Sequence, residues 1–141
     1  MAEAQGWLIY SIVALVSWGL WGTALKVASN GLDWKQLYFY SGVATTIAIT
    51  ILLALKRGEI INADPKPALI ALAAGFMGTI GYLAVANSLE KGGEAGTVVA
   101  LTALYPAVTV ITAKLFLGEP ITAPKAAGVM LAIIAVILLS R

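Results

Sequence analysis

GTVVALTALYPAVTVITAKLFLGEP, from Gly96 to Pro120, is apolar and long enough to cross a membrane, yet its hydroxyls are not scattered at random. Past Thr97 at its start, they fall at Thr102, Tyr105, Thr109 and Thr112. Steps of three, four and three put all of them on one face of a helix. Pro106 lies within that face. A proline inside a helix has no N–H to donate, so the carbonyl of Thr102, four residues back, is expected to lose its intrahelical partner. In lipid an orphan carbonyl is costly unless protein, a hydroxyl or water satisfies it. Aligned hydroxyls beside a spare carbonyl read as the wall of a small-molecule pathway. The plainer alternative is that each threonine bonds its own upstream carbonyl and Pro106 merely kinks the helix.

The composition sets the surroundings of this stretch. The chain has 141 residues, 60% hydrophobic and 11% charged, which excludes an ordinary soluble domain. A net charge of +2, with nine basic residues that form no run, points to no nucleic-acid partner. Cysteine and histidine are both absent. Disulfides, thiol nucleophiles, imidazole metal sites and histidine proton relays are therefore excluded, and no metal or cofactor is expected.

Five apolar segments follow one another, at about 6–27, 37–55, 67–89, 96–117 and 122–140. At ~1.5 Å per residue the first four each cover roughly the 30 Å of bilayer hydrocarbon. The fifth spans only if Thr122 caps a helix with Pro124 in its first turn and Lys125 snorkels to the headgroups. The first segment is too long for a signal peptide and is preceded by Glu3 rather than by Lys or Arg, so it is expected to be retained. Short turns join the segments: Asn30-Gly31, Lys56-Arg57-Gly58-Glu59, Lys91-Gly92-Gly93-Glu94 and Gly118-Glu119-Pro120. The expectation is one all-α membrane domain with five transmembrane helices, multi-pass in an inner or plasma membrane and in contact with the lipid bilayer.

Five spans place the termini on opposite sides. Lys56, Arg57, Lys66, Lys125 and Lys114 then fall on the side of the N-terminus, and Lys26, Lys35, Lys91 and Arg141 on the other. Membrane proteins normally carry a cytoplasmic excess of Lys and Arg. Five against four is almost no bias, which is what a chain inserting both ways up would show.

The other spans carry faces as well. In span one Trp7, Ser11, Ala14, Trp18 and Trp21 recur at helical spacing. Trp7 suits an interfacial aromatic belt, but Trp18 lies within about 4 Å of the span's midpoint. A deep indole either packs between helices or lines a site for aliphatic, aromatic or cationic groups. In span two Tyr38, Ser41 and Thr45 align, and in span three Gly75, Thr79, Tyr82 and Ala86 do. Gly75, Gly78 and Gly81, like Gly128 and Ala132 in span five, read as close-packing positions. No Asp or Glu lies in any span; Lys26 and Lys125 stand at span ends, and Lys114 is the one charged residue farther inside. Lys114 precedes Gly118 by four residues, where its ammonium can snorkel and complement the helix C-terminus; a gating role is the sharper alternative.

At this point a resemblance appears. LYPAVTVITAKLFLGEPITAPKAAGVMLAIIAVIL, Leu104 to Leu138, resembles the closing half of an EamA domain of the drug/metabolite transporter superfamily, with Pro106, Leu117-Gly118-Glu119 and Gly128 as the matching marks. SWGLWGTALKVA, Ser17 to Ala28, looks like that family's first span. The resemblance implies a cavity lined by spans one, three and four of two oppositely oriented units, with span five peripheral and Glu119 structural. This chain holds one unit and looks like the unfused form. The four-span relatives couple protons through a glutamate in span one. Here Ser17-Trp18-Gly19 stand in that region, so that coupling is not carried over. Tyr38 and Tyr40 likewise stand where many EamA units have an arginine.

Together these readings predict an alternating-access transporter, working as a homodimer with the antiparallel pair favoured, for a neutral or zwitterionic metabolite such as an amino acid or for an amphipathic compound. The expected substrate-facing residues are Trp18, Trp21, Thr79, Tyr82, Thr102, Tyr105, Pro106 and Thr109, with Lys114 at a gate or interface. Without a carboxylate in the membrane core, facilitated diffusion, export or exchange is expected ahead of proton coupling. Two rivals stand beside this. One is a non-transporting scaffold or accessory subunit, for instance of a lipid-linked sugar flippase. The other is an intramembrane enzyme, disfavoured because only a Ser–Lys pairing with Lys114 could supply a nucleophile.

Overall fold

A computed structural model describes residues 3–139. Among them lie six helices: α1 (Glu3–Ser29), α2 (Trp34–Ile61), α3 (Pro65–Glu90), α4 (Ala95–Thr102), α5 (Tyr105–Leu117) and α6 (Ala123–Leu139). No described residue is in a strand. Together α4 and α5 make the fourth span, so the five-helix membrane architecture expected from the sequence stands. Four stretches are long and apolar enough to cross a bilayer: Gly6–Ser29, Trp34–Ile61, Pro65–Glu90 and Ala95–Leu117. At ~1.5 Å per residue, α6 with its 17 residues reaches only about 25 Å.

The helices fall into two compact units. Residues 27–92, essentially α2 and α3, form one; α1 up to Lys26 and the chain from Gly93 onward form the other.

The first unit is a helical hairpin whose ends are written in its sequence. Asp33 and Gln36 make a capping box: Gln36 N–H donates to Asp33 Oδ1 at 2.8 Å, and Asp33 N–H donates to Gln36 Oε1 at 3.0 Å. The box starts α2 at Trp34, three residues before the expected boundary at Leu37. At its other end the helix runs on through Lys56-Arg57-Gly58-Glu59, expected as a turn, to Ile61. Lys56 itself leaves the helical region (φ −133°, ψ 26°), so the expected boundary at 55 survives as a kink. Asp64 caps α3, accepting from Lys66 N–H at 3.0 Å, with Pro65 in the first turn where its missing N–H costs nothing. Gly92 ends that span with φ +96°, a conformation that favours glycine.

In the second unit α1 and α4 meet at Gly22. A Cβ built there would sit 2.8 Å from Val99 Cγ2, so only glycine admits this approach. The glycines expected to pack closely do not do so within the chain: no atom lies within 4 Å of a Cβ placed on Gly75, Gly78, Gly81 or Gly128. Thr97 on α4 donates to the Leu139 carbonyl on α6 at 3.4 Å. Gly118 closes α5 in the left-handed region (φ +70°), with the Ala113 carbonyl accepting from the Gly118 N–H and, at 3.3 Å, from that of Glu119. Thr122 then caps α6 as expected, accepting from Lys125 N–H at 3.4 Å. Lys125 turns back toward the loop, its ammonium 3.6 Å from Glu119 Oε2 and 3.5 Å from the Pro120 carbonyl. Ser140, the last residue of the expected fifth span, lies outside the described residues.

Candidate functional site

The fourth span is not one kinked helix. It is two helices, with Ala103 and Leu104 between them in a tight turn. Leu104 N–H bonds the Leu101 carbonyl at 3.2 Å and Ala107 N–H bonds that of Leu104 at 2.9 Å, both of the shorter three-residue kind. Pro106 thereby sits in the first turn of α5, where an N–H is not needed. The cost is moved to the neighbours. Among the described residues no donor reaches the carbonyls of Thr102 and Ala103. The spare carbonyl read from the sequence is there, joined by a second.

The hydroxyls along this span turn back on their own helices. Thr102 donates to the Val99 carbonyl at 2.9 Å, Thr109 to that of Tyr105 at 3.1 Å, and Thr112 shares its one proton between those of Val108 and Thr109 at 3.0 and 3.1 Å. This back-bonding is the plainer alternative expected for threonine in a membrane helix; the acceptors the span leaves open are the two carbonyls at the break. Trp18 (58% exposed), Tyr105 (56%) and Thr109 are open on this chain, while Trp21 is half-buried. Lys114 lies exposed in the last turn of α5. Within the same unit a groove of about 260 Å³ runs between α1 and α4, lined by Gly19, Gly22, Thr23, Gly96, Val99 and Ala103. It includes none of the aromatic or hydroxyl residues expected to face substrate, and the single chain does not enclose them.

In the hairpin, Tyr82 is tied down. Its hydroxyl donates to the Leu37 carbonyl at 3.1 Å and lies 2.5 Å from Ser41 Oγ; its ring meets Tyr38 at 5.9 Å between centroids. Since the phenol has one proton, spent on Leu37, Ser41 donates to Tyr82. Thr79 lies one turn away, half-buried. Leu37, Val85, Ala86 and Leu89 are the buried residues of this hairpin. At its end Glu90 Oε2 accepts from Trp34 N–H at 2.7 Å, capping α2 from the facing helix. Neither the Tyr82–Ser41 link nor the Glu90 cap was read from the sequence. Ser41 and Tyr82 each stood on an aligned polar face, but nothing local pairs one face with the other.

Four stretches long and apolar enough to cross a bilayer, the fourth of them broken, and a fifth shorter helix define a multi-pass membrane protein. The chain belongs to the EamA-like transporter family, whose model matches residues 5–141. It is also 38% identical over 94 residues to an uncharacterized protein of Methanocaldococcus jannaschii, an alignment covering 67% of this chain and 68% of the relative. No solved structure matches it.

Proposed function

We propose that the protein is an inner or plasma membrane carrier that works by alternating access as an antiparallel homodimer, two five-helix units making a ten-helix inverted repeat. Its substrate is a small neutral or zwitterionic metabolite, amino acids included, or an amphipathic compound. The observation that carries this reading is the broken fourth span in a chain of a transporter family. Irregular backbone at membrane depth is tolerated where it is buried in protein or lines a wet cavity, and the single chain provides no such enclosure. A second copy would.

In this reading Trp18, Trp21, Thr102, Tyr105, Pro106 and Thr109 face the substrate, as do Thr79 and Tyr82 on α3, and Lys114 serves a gate or interface. The open carbonyls at the break favour substrates that donate, such as an ammonium group. No Asp or Glu lies in the membrane core of the spans, Glu59 and Glu90 standing at helix ends, which favours facilitated diffusion, export or exchange over proton coupling. The test is flux into proteoliposomes across a panel of amino acids, amines and sugars. Saturable movement of at least one amine-bearing compound supports the carrier; background rates throughout reject it.

A second reading, a non-transporting accessory subunit, is favoured by the self-satisfied threonines, which would serve equally as a helix contact surface. It predicts that replacing Thr102, Thr109 and Thr112 together by Val abolishes assembly. The carrier reading predicts lost flux from an intact dimer.

A further inference from the structure

On α2, Lys35, Phe39, Gly42 and Thr46 lie on the opposite side of the helix from Leu37 and Ser41, at ~3.6 residues per turn. Along them runs an open groove of about 590 Å³, from Lys35 at one end to Ile47 at the other, with Tyr38 as a further wall. Gly42 leaves a notch within it, since no atom lies within 4 Å of where a Cβ would be. The Thr46 hydroxyl donates to the Gly42 carbonyl at 2.8 Å, and Phe39, Val43 and Ile47 make the rest of the wall below Lys35 and Tyr38 hydrocarbon. At ~1.5 Å per residue the groove is about 18 Å long, close to the ~15 Å of half a hydrocarbon core.

The head of the groove is cationic, its ammonium over an indole ring and in no ion pair among the described residues. Lys35 lies 5.8 Å from the Trp34 ring centroid. The nearby carboxylates are engaged elsewhere: Asp33 accepts from Gln36 N–H and Glu90 from Trp34 N–H. Neither ion pair among the described residues includes Lys35.

We infer that this groove holds one phospholipid of net negative charge, its acyl chain along Gly42 and Thr46 and its phosphate at Lys35. The groove's length matches one leaflet, its slot matches a chain, and its single cation sits at headgroup level beside Tyr38. The site lies within the α2–α3 hairpin and is independent of the carrier reading.

The test is native mass spectrometry of the delipidated full chain in detergent, titrated in parallel with phosphatidylglycerol and phosphatidylcholine. One lysine near an anionic headgroup is expected to favour phosphatidylglycerol about fivefold. Lys35→Gln is expected to reduce phosphatidylglycerol adducts to the phosphatidylcholine level. Gly42→Leu, which fills the notch, is expected to reduce both, while Gly78→Ala, on α3 and outside the groove, leaves both unchanged and controls for the fold. Equal binding of the two lipids by the unaltered chain, or full selectivity in Lys35→Gln, overturns the inference. So does a Gly42→Leu variant that breaks a dimer without changing lipid adducts, which would make the face a contact between copies.

Discussion

Pro106 shows how one missing N–H is distributed along a backbone. The helix does not tolerate a hole at Thr102; it stops, turns through Ala103 and Leu104, and begins again with the proline where a proline is welcome. Pro106→Ala restores a donor for the Thr102 carbonyl and should let the two pieces fuse. If the open carbonyls contact substrate, flux in proteoliposomes should fall at least about tenfold while helix content by circular dichroism holds or rises. Unchanged flux would remove the break from the transport pathway. Tyr82 makes a different kind of prediction. Tyr82→Phe keeps the ring against Tyr38 but loses the proton given to Leu37 and the acceptor used by Ser41. Interhelical hydrogen bonds in membranes are worth about 0.6–1.7 kcal/mol, so denaturant-induced unfolding in mixed micelles should shift by that much.

At the scale of helices, most of the architecture was legible and the reason is the solvent. Lipid demands about twenty apolar residues per crossing, and that demand is visible in any window of the chain. Thr122 could be recognised as a cap because capping chemistry is local, and the same holds for the Gly118 turn. Asp33 and Gln36 carried an equally local signal that set the start of α2, yet the expected boundary followed hydropathy and came three residues late. What could not be read were pairings between helices. Gly22 against Val99 is a case in point: Gly75, Gly78 and Gly81 form the more conspicuous series, but close approach depends on which neighbour arrives. Gly22→Val should therefore cost about 1–3 kcal/mol through overpacking, measured in the same micelles. Val99→Ala should recover most of that loss, whereas Gly78→Ala should change little.

For the molecule as a whole, one chain leaves several of the expected substrate-facing residues uncovered. Trp18, Tyr105 and Thr109 stand open, and no local feature of the chain tells what covers them. The distribution of Lys and Arg is the one clue, and it speaks to orientation more than to contact. The absence of cysteine makes it testable. A single cysteine placed at Asn62, probed in intact cells with an impermeant thiol reagent, should label about half the molecules if the near-balanced charges allow both orientations. Complete or absent labelling would rule out the antiparallel pair and leave parallel or mixed assemblies.

The bond from Trp34 to Glu90 joins residues 56 positions apart, at the end of the hairpin away from its turn. A latch so placed cannot engage while the second helix of the hairpin is still being made. Until Glu90 has left the ribosome, α2 has no carboxylate from its neighbour, and its first residues must rely on Asp33 alone. Synthesis therefore hands the bilayer an open clasp, and the closing charge arrives last.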